Sequence, residues 1–176
     1  MAKENTEYMS TEGYSLMGAA FEVHRELNGG LAEEIYQESL EWELGLRKIP
    51  FKSKAELQVY YKGHLLNKRY IPDLYVYQEL VTELKATKEL TSEHEQQLLN
   101  YMRITKKAVG YLINFGPMKQ LQWKRFILKE YIPSSTDSTT SLWDQWSSVA
   151  YPGRLRREPL ITANDTLIKE NAALQD

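Results

Sequence analysis

Apolar residues recur at helical spacing from about Ser10 to Leu27, at Tyr14, Met17, Phe21, His24 and Leu27, and predict a first helix there. Asn28-Gly29-Gly30 ends it, because Asn and Gly tolerate the left-handed conformation that closes a helix. A second helix is predicted from Ala32 to Arg47, with Ile35, Tyr36, Leu40, Leu44 and Trp42 as candidates for its buried face, and Ile49-Pro50 closes it. The pattern then shifts to β. Leu57–Tyr61 reads as a strand, Lys62-Gly63-His64 as a turn, and Leu65-Leu66 as its return. Tyr70–Tyr77 and Leu80–Ala86 are both β-rich, with only Gln78 and Glu79 between them, and predict a hairpin. Thr91 or Ser92 caps a third helix, with Glu93 and Glu95 favourable to its dipole and Leu98, Leu99, Tyr101 and Met102 buried. Ala108–Phe115 is almost continuously apolar, as in a strand covered on both faces, and 123–131 supplies an edge strand after the Gly116-Pro117 break.

The order α-α-β-β-β-α-β-β packs naturally as a mixed central sheet flanked by helices, an α/β fold, with Leu80–Phe115 forming a right-handed crossover. Residues 1–9 read as a loose polar leader and 10–132 as the domain. Residues 133–141 are a polar, low-complexity linker. Residues 142–176 form an appendage with Trp143, Trp146 and a basic Arg154-Leu155-Arg156-Arg157 patch, but no second domain is legible there.

Composition narrows the chemistry. The 176 residues include no cysteine, which excludes disulfides, thiolate metal sites and cysteine nucleophiles. No run approaches the ~18 apolar residues of a membrane span, and the N-terminus is not signal-like, so a cytoplasmic location is expected. The net charge of −2 conceals a strong asymmetry. Residues 1–45 carry ten acids against two bases, residues 46–130 carry 16 bases against eight acids, and residues 131–176 carry four bases against six acids. A basic middle segment suits a polyanion, since Lys and Arg gain by replacing phosphate counterions.

That same segment holds the most informative residues. Side chains alternate along a strand, so Glu83 and Lys85 share one face, and in a hairpin Asp73 reaches the same face from its neighbour. Two carboxylates and one ammonium would then converge. For an isolated E-x-K the ordinary explanation is a structural ion pair. With Asp73 in register, the cluster suits a hard cation, Mg²⁺ or Mn²⁺, and a lysine placed to orient an attacking water, as in a metal-dependent phosphodiesterase.

Further motifs occur in a fixed order. Gly30-Leu31-Ala32-Glu33-Glu34-Ile35-Tyr36 fits G-x-x-E-x-x-Y, with Val23-His24 before it. Glu83-Leu84-Lys85-Ala86, His94–Tyr101 and Leu112-Ile113-Asn114-Phe115-Gly116 come after it. In these the chain resembles the GxxExxY family of the PD-(D/E)xK nuclease superfamily over about residues 10–130. The resemblance implies a restriction-endonuclease-like αβββαβ core and a nuclease dependent on Mg²⁺ or Mn²⁺, acting on DNA more than RNA. It implies Asp73 and Glu83 as metal ligands, Lys85 as the motif lysine, Glu33 as an acid from the first core helix, and Gln97 as the glutamine of the helix after the third strand. Two departures are visible. Pro72-Asp73 is a literal Pro-Asp where related sequences often carry a small residue, and Asn28-Gly29-Gly30 replaces a more usual Gly-Pro-Gly.

Chemistry alone does not separate Glu33 from Glu34, since either serves the helix dipole; the pattern favours Glu33. Gln97 suits a scissile phosphate or a metal-bound water, and equally a buried amide satisfying the backbone. Tyr36 reads as a core residue with a hydrogen-bonded hydroxyl. His24, His64 and His94 are not spaced as a metal triad. Lys52, Lys54, Lys68, Arg69, Lys88, Arg103, Lys106 and Lys107 are candidate phosphate contacts, each individually explicable as surface charge. The resemblance leaves room for a homodimer or a nucleic-acid-processing partner protein. The alternative to an enzyme is a non-catalytic nucleic-acid-binding or protein-interaction module that keeps the fold, against which the intact Asp73, Glu83 and Lys85 argue.

Overall fold

The structure, a computed structural model, describes residues 7–133. The first six residues of the expected leader, nearly all of the expected linker and the whole expected appendage lie outside them. Helix α1 spans Ser10–Leu27 and α2 spans Glu33–Leu46, close to the predicted limits. Asn28 closes α1 at positive φ (57°) but with extended ψ, not in the left-handed helical conformation, and its N–H donates to the His24 carbonyl at 2.9 Å.

The buried faces differ from expectation. Helix α1 buries Leu16, Met17, Ala19, Ala20, Val23 and His24, whereas Tyr14 is 83% exposed and Phe21 is also exposed. On α2, Tyr36, Leu40 and Leu44 are buried as expected, together with Gln37, while Ile35 and Trp42 face out. The physical reason is close approach. A side chain on Gly13 would collide with the Tyr111 hydroxyl, so α1 lies against the sheet through its small residues and turns its aromatics to solvent.

Tyr36 explains the spacing of its motif. Its ring is fully buried and stacks on Phe115, centroids 4.7 Å apart. Its hydroxyl donates to the Asn28 carbonyl at 2.6 Å and accepts from the Leu31 N–H at 3.1 Å. One side chain thus clamps the α1–α2 loop, in which Gly30 takes φ +94°, and sets where Glu33 begins its helix. Tyr36→Phe is expected to leave both backbone groups unpaired and destabilise the fold by about 1–2 kcal/mol. Urea unfolding should show a lower midpoint at unchanged slope.

The strands are β1 (Phe51–Ser53), β2 (Tyr60–Tyr61), β3 (His64–Leu65), β4 (Leu74–Val76), β5 (Leu80–Lys85), β6 (Val109–Asn114) and β7 (Gln122–Ile127). Five form one mixed sheet in the order β1-β4-β5-β6-β7, antiparallel except for the central β5–β6 pair, and β2 and β3 form a separate hairpin. Helix α3 (Ser92–Thr105) makes the crossover, capped by Thr91 with His94 completing a reciprocal capping box. This is the α/β fold of restriction-endonuclease type, with α2, β1, β4, β5, α3 and β6 as its αβββαβ core.

The first core strand is Phe51–Ser53, not Leu57–Tyr61. Leu57 makes only a single bridge to Tyr70, the turn is Lys62-Gly63 (both at positive φ), and His64 already belongs to β3. Three residues with a central lysine, directly after a proline, leave β1 no legible alternation. All six residues of β6 are buried, as predicted for a doubly covered strand. Helices α1 and α2 share a core with Leu80, Leu84, Tyr111 and Ile113 on one face of the sheet. Helix α3 covers the other face, so closely that a Cβ on Gly110 would overlap Met102.

Candidate active site

The β4–β5 connection is Tyr77-Gln78-Glu79, one residue longer than the sequence suggests. Tyr77 (φ 53°) and Gln78 (φ 63°) are both left-handed, and the Glu79 N–H donates to the Val76 carbonyl at 3.2 Å. Left-handed residues match the twist of the flanking strands, which makes such turns productive in hairpins. The resulting register pairs Leu74 with Thr82, which sets Asp73, at the threshold of β4, opposite Glu83. Opposed residues of an antiparallel pair share a face. Asp73, Glu83 and Lys85 therefore meet at the C-terminal end of β5, on the α3 side.

Glu83 is only 3% exposed. Its Oε1 accepts from Lys85 Nζ at 2.7 Å, while Oε2 is buried without a hydrogen-bond partner. Asp73 Oδ2 accepts from the Leu84 N–H at 2.8 Å, which ties the carboxylate across to β5. Burial above all, with Asp73 adding to it and Lys85 opposing, pushes the Glu83 carboxyl up to about 7. Burial also raises Asp73, against the pull of the Leu84 N–H and Lys85. Burial acts to lower Lys85, but Glu83, Glu33 and Asp73 outweigh it and hold the ammonium above its ordinary value.

One buried acid, one half-buried acid, one ammonium and an orphaned carboxylate oxygen leave the site short of positive charge, which is the condition a cation relieves. Among the described residues, no three His, Cys, Asp or Glu side chains gather closely enough to hold an ion by themselves. The donor set is thus two carboxylates. It fits a hard octahedral cation that keeps several waters, and it does not fit an all-protein cage.

The other predicted residues fall in three groups. Glu33 is half-buried in the first turn of α2 and its charge is felt by Asp73, Glu83 and Lys85, whereas Glu34 is exposed. Lys54 exerts its charge on Asp73, and its N–H donates to the Asp73 carbonyl at 2.9 Å. Gln97 donates to the Tyr101 hydroxyl at 3.0 Å, and that hydroxyl feels the charges of Glu83 and Asp73. These stand around the centre.

Lys88 is exposed in the β5–α3 connection, at the same end of the sheet. Lys52 lies on β1, Lys68 is exposed, and Arg69 donates to the Leu66 carbonyl at 2.6 Å. Arg103, Lys106 and Lys107 lie at the far end. They occupy the last turn and cap of α3 or the entry to β6, where Val109 pairs with Leu80 at the start of β5, and Lys107 pairs with Glu79 at 2.8 Å. Five steps along β5, at ~3.3 Å each, separate that end from Lys85.

Three participants were not legible. Gln37, buried on α2, donates to the Asp73 carbonyl at 3.3 Å and to Glu41 at 2.6 Å, and Ser53 donates to the same Glu41 oxygen at 2.6 Å. This network moors α2 and β1 to the backbone of Asp73. Gln37 stands four residues after Glu33, a helical-face signal that could have found it; Ser53 offers none. Tyr101 reads as core from its spacing, and only its hydroxyl places it at the site.

Residues 10–126 match the sequence model of the PD-(D/E)XK nuclease superfamily. The chain belongs to the PD-(D/E)XK nuclease superfamily. In this PD-(D/E)XK chain, Pro72-Asp73 and Glu83-Leu84-Lys85 spell the naming motif literally, the first directly before β4 and the second on its neighbour β5. Among solved structures it is similar to one titled "Crystal structure of SSO0001", with a TM-score of 0.44 and 13% identity, covering 72% of this chain and 61% of that one. No curated protein matches the chain significantly. Among the described residues, no helix is long and apolar enough to cross a membrane.

Proposed function

We propose that this PD-(D/E)XK protein, of the GxxExxY group, is a Mg²⁺- or Mn²⁺-dependent nuclease whose cation is held by Asp73 and Glu83. The observation that carries this reading is the buried, partnerless Oε2 of Glu83, opposite Asp73 and on the strand that presents Lys85. When bound, the cation supplies Lewis-acid polarisation of the scissile phosphate and acidifies a coordinated water. Asp73 is held on target by the Leu84 N–H from one side and by Gln37 through its carbonyl from the other. Lys85, anchored on Glu83, orients the attacking water and offsets charge on the pentavalent phosphorus. The water oxygen forms the new P–O bond as the bond to the 3′-oxygen breaks; the water proton passes to solvent and the departing 3′-oxygen takes one up from solvent to leave as a hydroxyl. Glu33 adds negative potential that favours the cation, and Gln97 holds Tyr101 at the rim.

The nucleophile is external water, so the reaction needs no 2′-hydroxyl and DNA is a full substrate. The histidines are engaged elsewhere: His24 Nε2 donates to the Pro117 carbonyl at 2.8 Å, His94 caps α3, and His64 sits exposed on β3. A cytoplasmic location, and work as a homodimer or beside a nucleic-acid-processing partner, belong to the same proposal.

Labelled single- and double-stranded DNA and RNA, incubated with Mg²⁺, Mn²⁺ or chelator, test it. Wild type is expected to release fragments only with metal, and Asp73→Asn to release at least ~10²-fold less. Absence of both cleavage and metal-induced thermal stabilisation would replace this reading with the non-catalytic binding module.

A further inference from the structure

Beside the catalytic cluster, between α3 and the segment preceding β4, lies a cleft of about 410 Å³ lined by Tyr70, Ser92, Glu93, Gln96, Gln97 and Asn100. Small ligands occupy pockets of roughly 300–1,000 Å³, so one planar heterocycle fits with room to spare. No lysine or arginine lines it and Glu93 does, which makes it a poor phosphate site; at its edge Arg103 Nη1 donates to the lining Asn100 Oδ1 at 3.3 Å, which leaves the Asn100 amide N–H groups to bond a base. Its chemistry is that of a base edge. Amides both donate and accept, and a carboxylate accepts from exocyclic amino groups.

One wall is an aromatic face held in place. The Tyr70 backbone makes a two-way bridge to Leu57, and its ring stands edge-on to Tyr101 with centroids 5.9 Å apart. Tyr70 is 37% exposed, so it can still be covered. The cleft is linked to the reacting centre through Gln97, which lines it and donates to the Tyr101 hydroxyl, a group that feels the charges of Glu83 and Asp73.

We propose that this cleft receives one unstacked nucleobase adjoining the scissile phosphate, stacked on Tyr70 and bonded at its edge by Gln96, Asn100 and Glu93, so that the substrate is a single strand. A base inside a duplex reaches such a cleft only by leaving its stack and its partner, which disfavours duplex. Mixed donors and acceptors together with one aromatic wall imply tolerance of different bases. This inference rests on the nuclease reading for its biological sense, but the cleft is testable without catalysis.

The full-length protein is titrated, in chelator, with a short single-stranded oligodeoxynucleotide carrying 2-aminopurine, and with its duplex. Cleavage of the same strands is followed separately with Mn²⁺. Wild type is expected to quench the single strand and to bind the duplex more weakly without quenching. Tyr70→Ala should bind roughly tenfold more weakly and Tyr70→Phe as wild type. Asn100→Ala, an exposed change that does not endanger the fold, should bind roughly fivefold more weakly. In cleavage, Tyr70→Ala should raise KM with kcat within about twofold, since stacking acts alike on ground and transition states. Tyr70-dependent quenching without cleavage would uphold the base site and remove the nuclease reading. Equal binding by wild type, Tyr70→Ala and Asn100→Ala, or faster cutting of duplex than single strand, would overturn the base site and leave the nuclease reading standing.

Discussion

Lys85→Ala is expected to reduce metal-dependent cleavage by about 10³-fold, the scale of losing a preorganised charge at a reacting centre. It is also expected to destabilise the metal-free protein, which separates it from a substitution that touches chemistry alone. Lys85 Nζ lies 2.7 Å from Glu83 Oε1, and Glu83 is almost wholly buried. Removing one member of a buried ion pair costs about 3 kcal/mol at pH 8, where the surviving carboxylate has neither water nor partner, and less at pH 5, where it takes up a proton. Asp73 on the opposing strand worsens the position of Glu83. The variant should therefore melt lower than wild type in chelator and gain more from Mg²⁺ or Mn²⁺, as the cation takes over the neutralising role. Thermal melts with and without metal, beside cleavage of a labelled strand, measure both effects. Near-wild-type cleavage by the variant would remove Lys85 from the mechanism; an unchanged melt would mean that the ion pair contributes nothing net.

Stability and metal affinity should run in opposite directions with pH. The Glu83 carboxyl stands at about 7 in the folded protein against an ordinary 4.5. Between those values the folded state holds a proton that the unfolded chain has released, so raising the pH across the window removes stability. The loss for Glu83 is on the order of 3 kcal/mol. Asp73, raised in the same direction, adds to it. Lys85 does not offset the trend, because an ammonium held above its ordinary value stays charged throughout. In chelator the protein should thus melt lower at pH 8 than at pH 5. A divalent cation competes with the proton for the same carboxylates, so stabilisation by Mg²⁺ should be large at pH 8 and small at pH 5. Melts over this range test the assignment, and a chelator curve flat from pH 5 to 8 would show that Glu83 is not held in this way.

The sequence carried the parts of this fold that depend on long periodicity or on punctuation. Helices α1, α2 and α3 and strand β6 are legible because ten or more periodic residues, or six continuous apolar ones, stand between Gly, Asn, Pro and Thr signals. Strand β1 was hidden because three residues have no period. The aromatics Tyr14 and Phe21 face outward because bulk does not decide burial on α1: Ala19, Ala20 and Gly13 permit the close contact instead. For the candidate site, spacing sufficed to put Asp73, Glu83 and Lys85 on one face, since alternation and a hairpin fix that by themselves. Helical spacing from Glu33 points to Gln37, but spacing does not join it to Ser53 in the Gln37–Glu41–Ser53 mooring, which links elements that only tertiary packing brings together. Nor could it sort the basic residues. Lys54 and Arg103 look alike in a charge count, yet one acts on Asp73 and the other stands at the far end of the sheet.

The placement of the three polar residues on one hairpin makes this centre unusually sensitive to length. A substitution near the β4–β5 connection changes a contact, but inserting or deleting a single residue in Tyr77-Gln78-Glu79 changes a parity. If the inserted residue were taken up by the strand, Glu83 and Lys85 would exchange faces with Thr82 and Leu84, carrying charge into the helix-covered core and apolar side chains to the α3 side. The connection is thus a spacer whose residue count matters more than its residue identities. Length variation among relatives should therefore concentrate at the β2–β3 hairpin, outside the main sheet, and be absent from the three residues between β4 and β5.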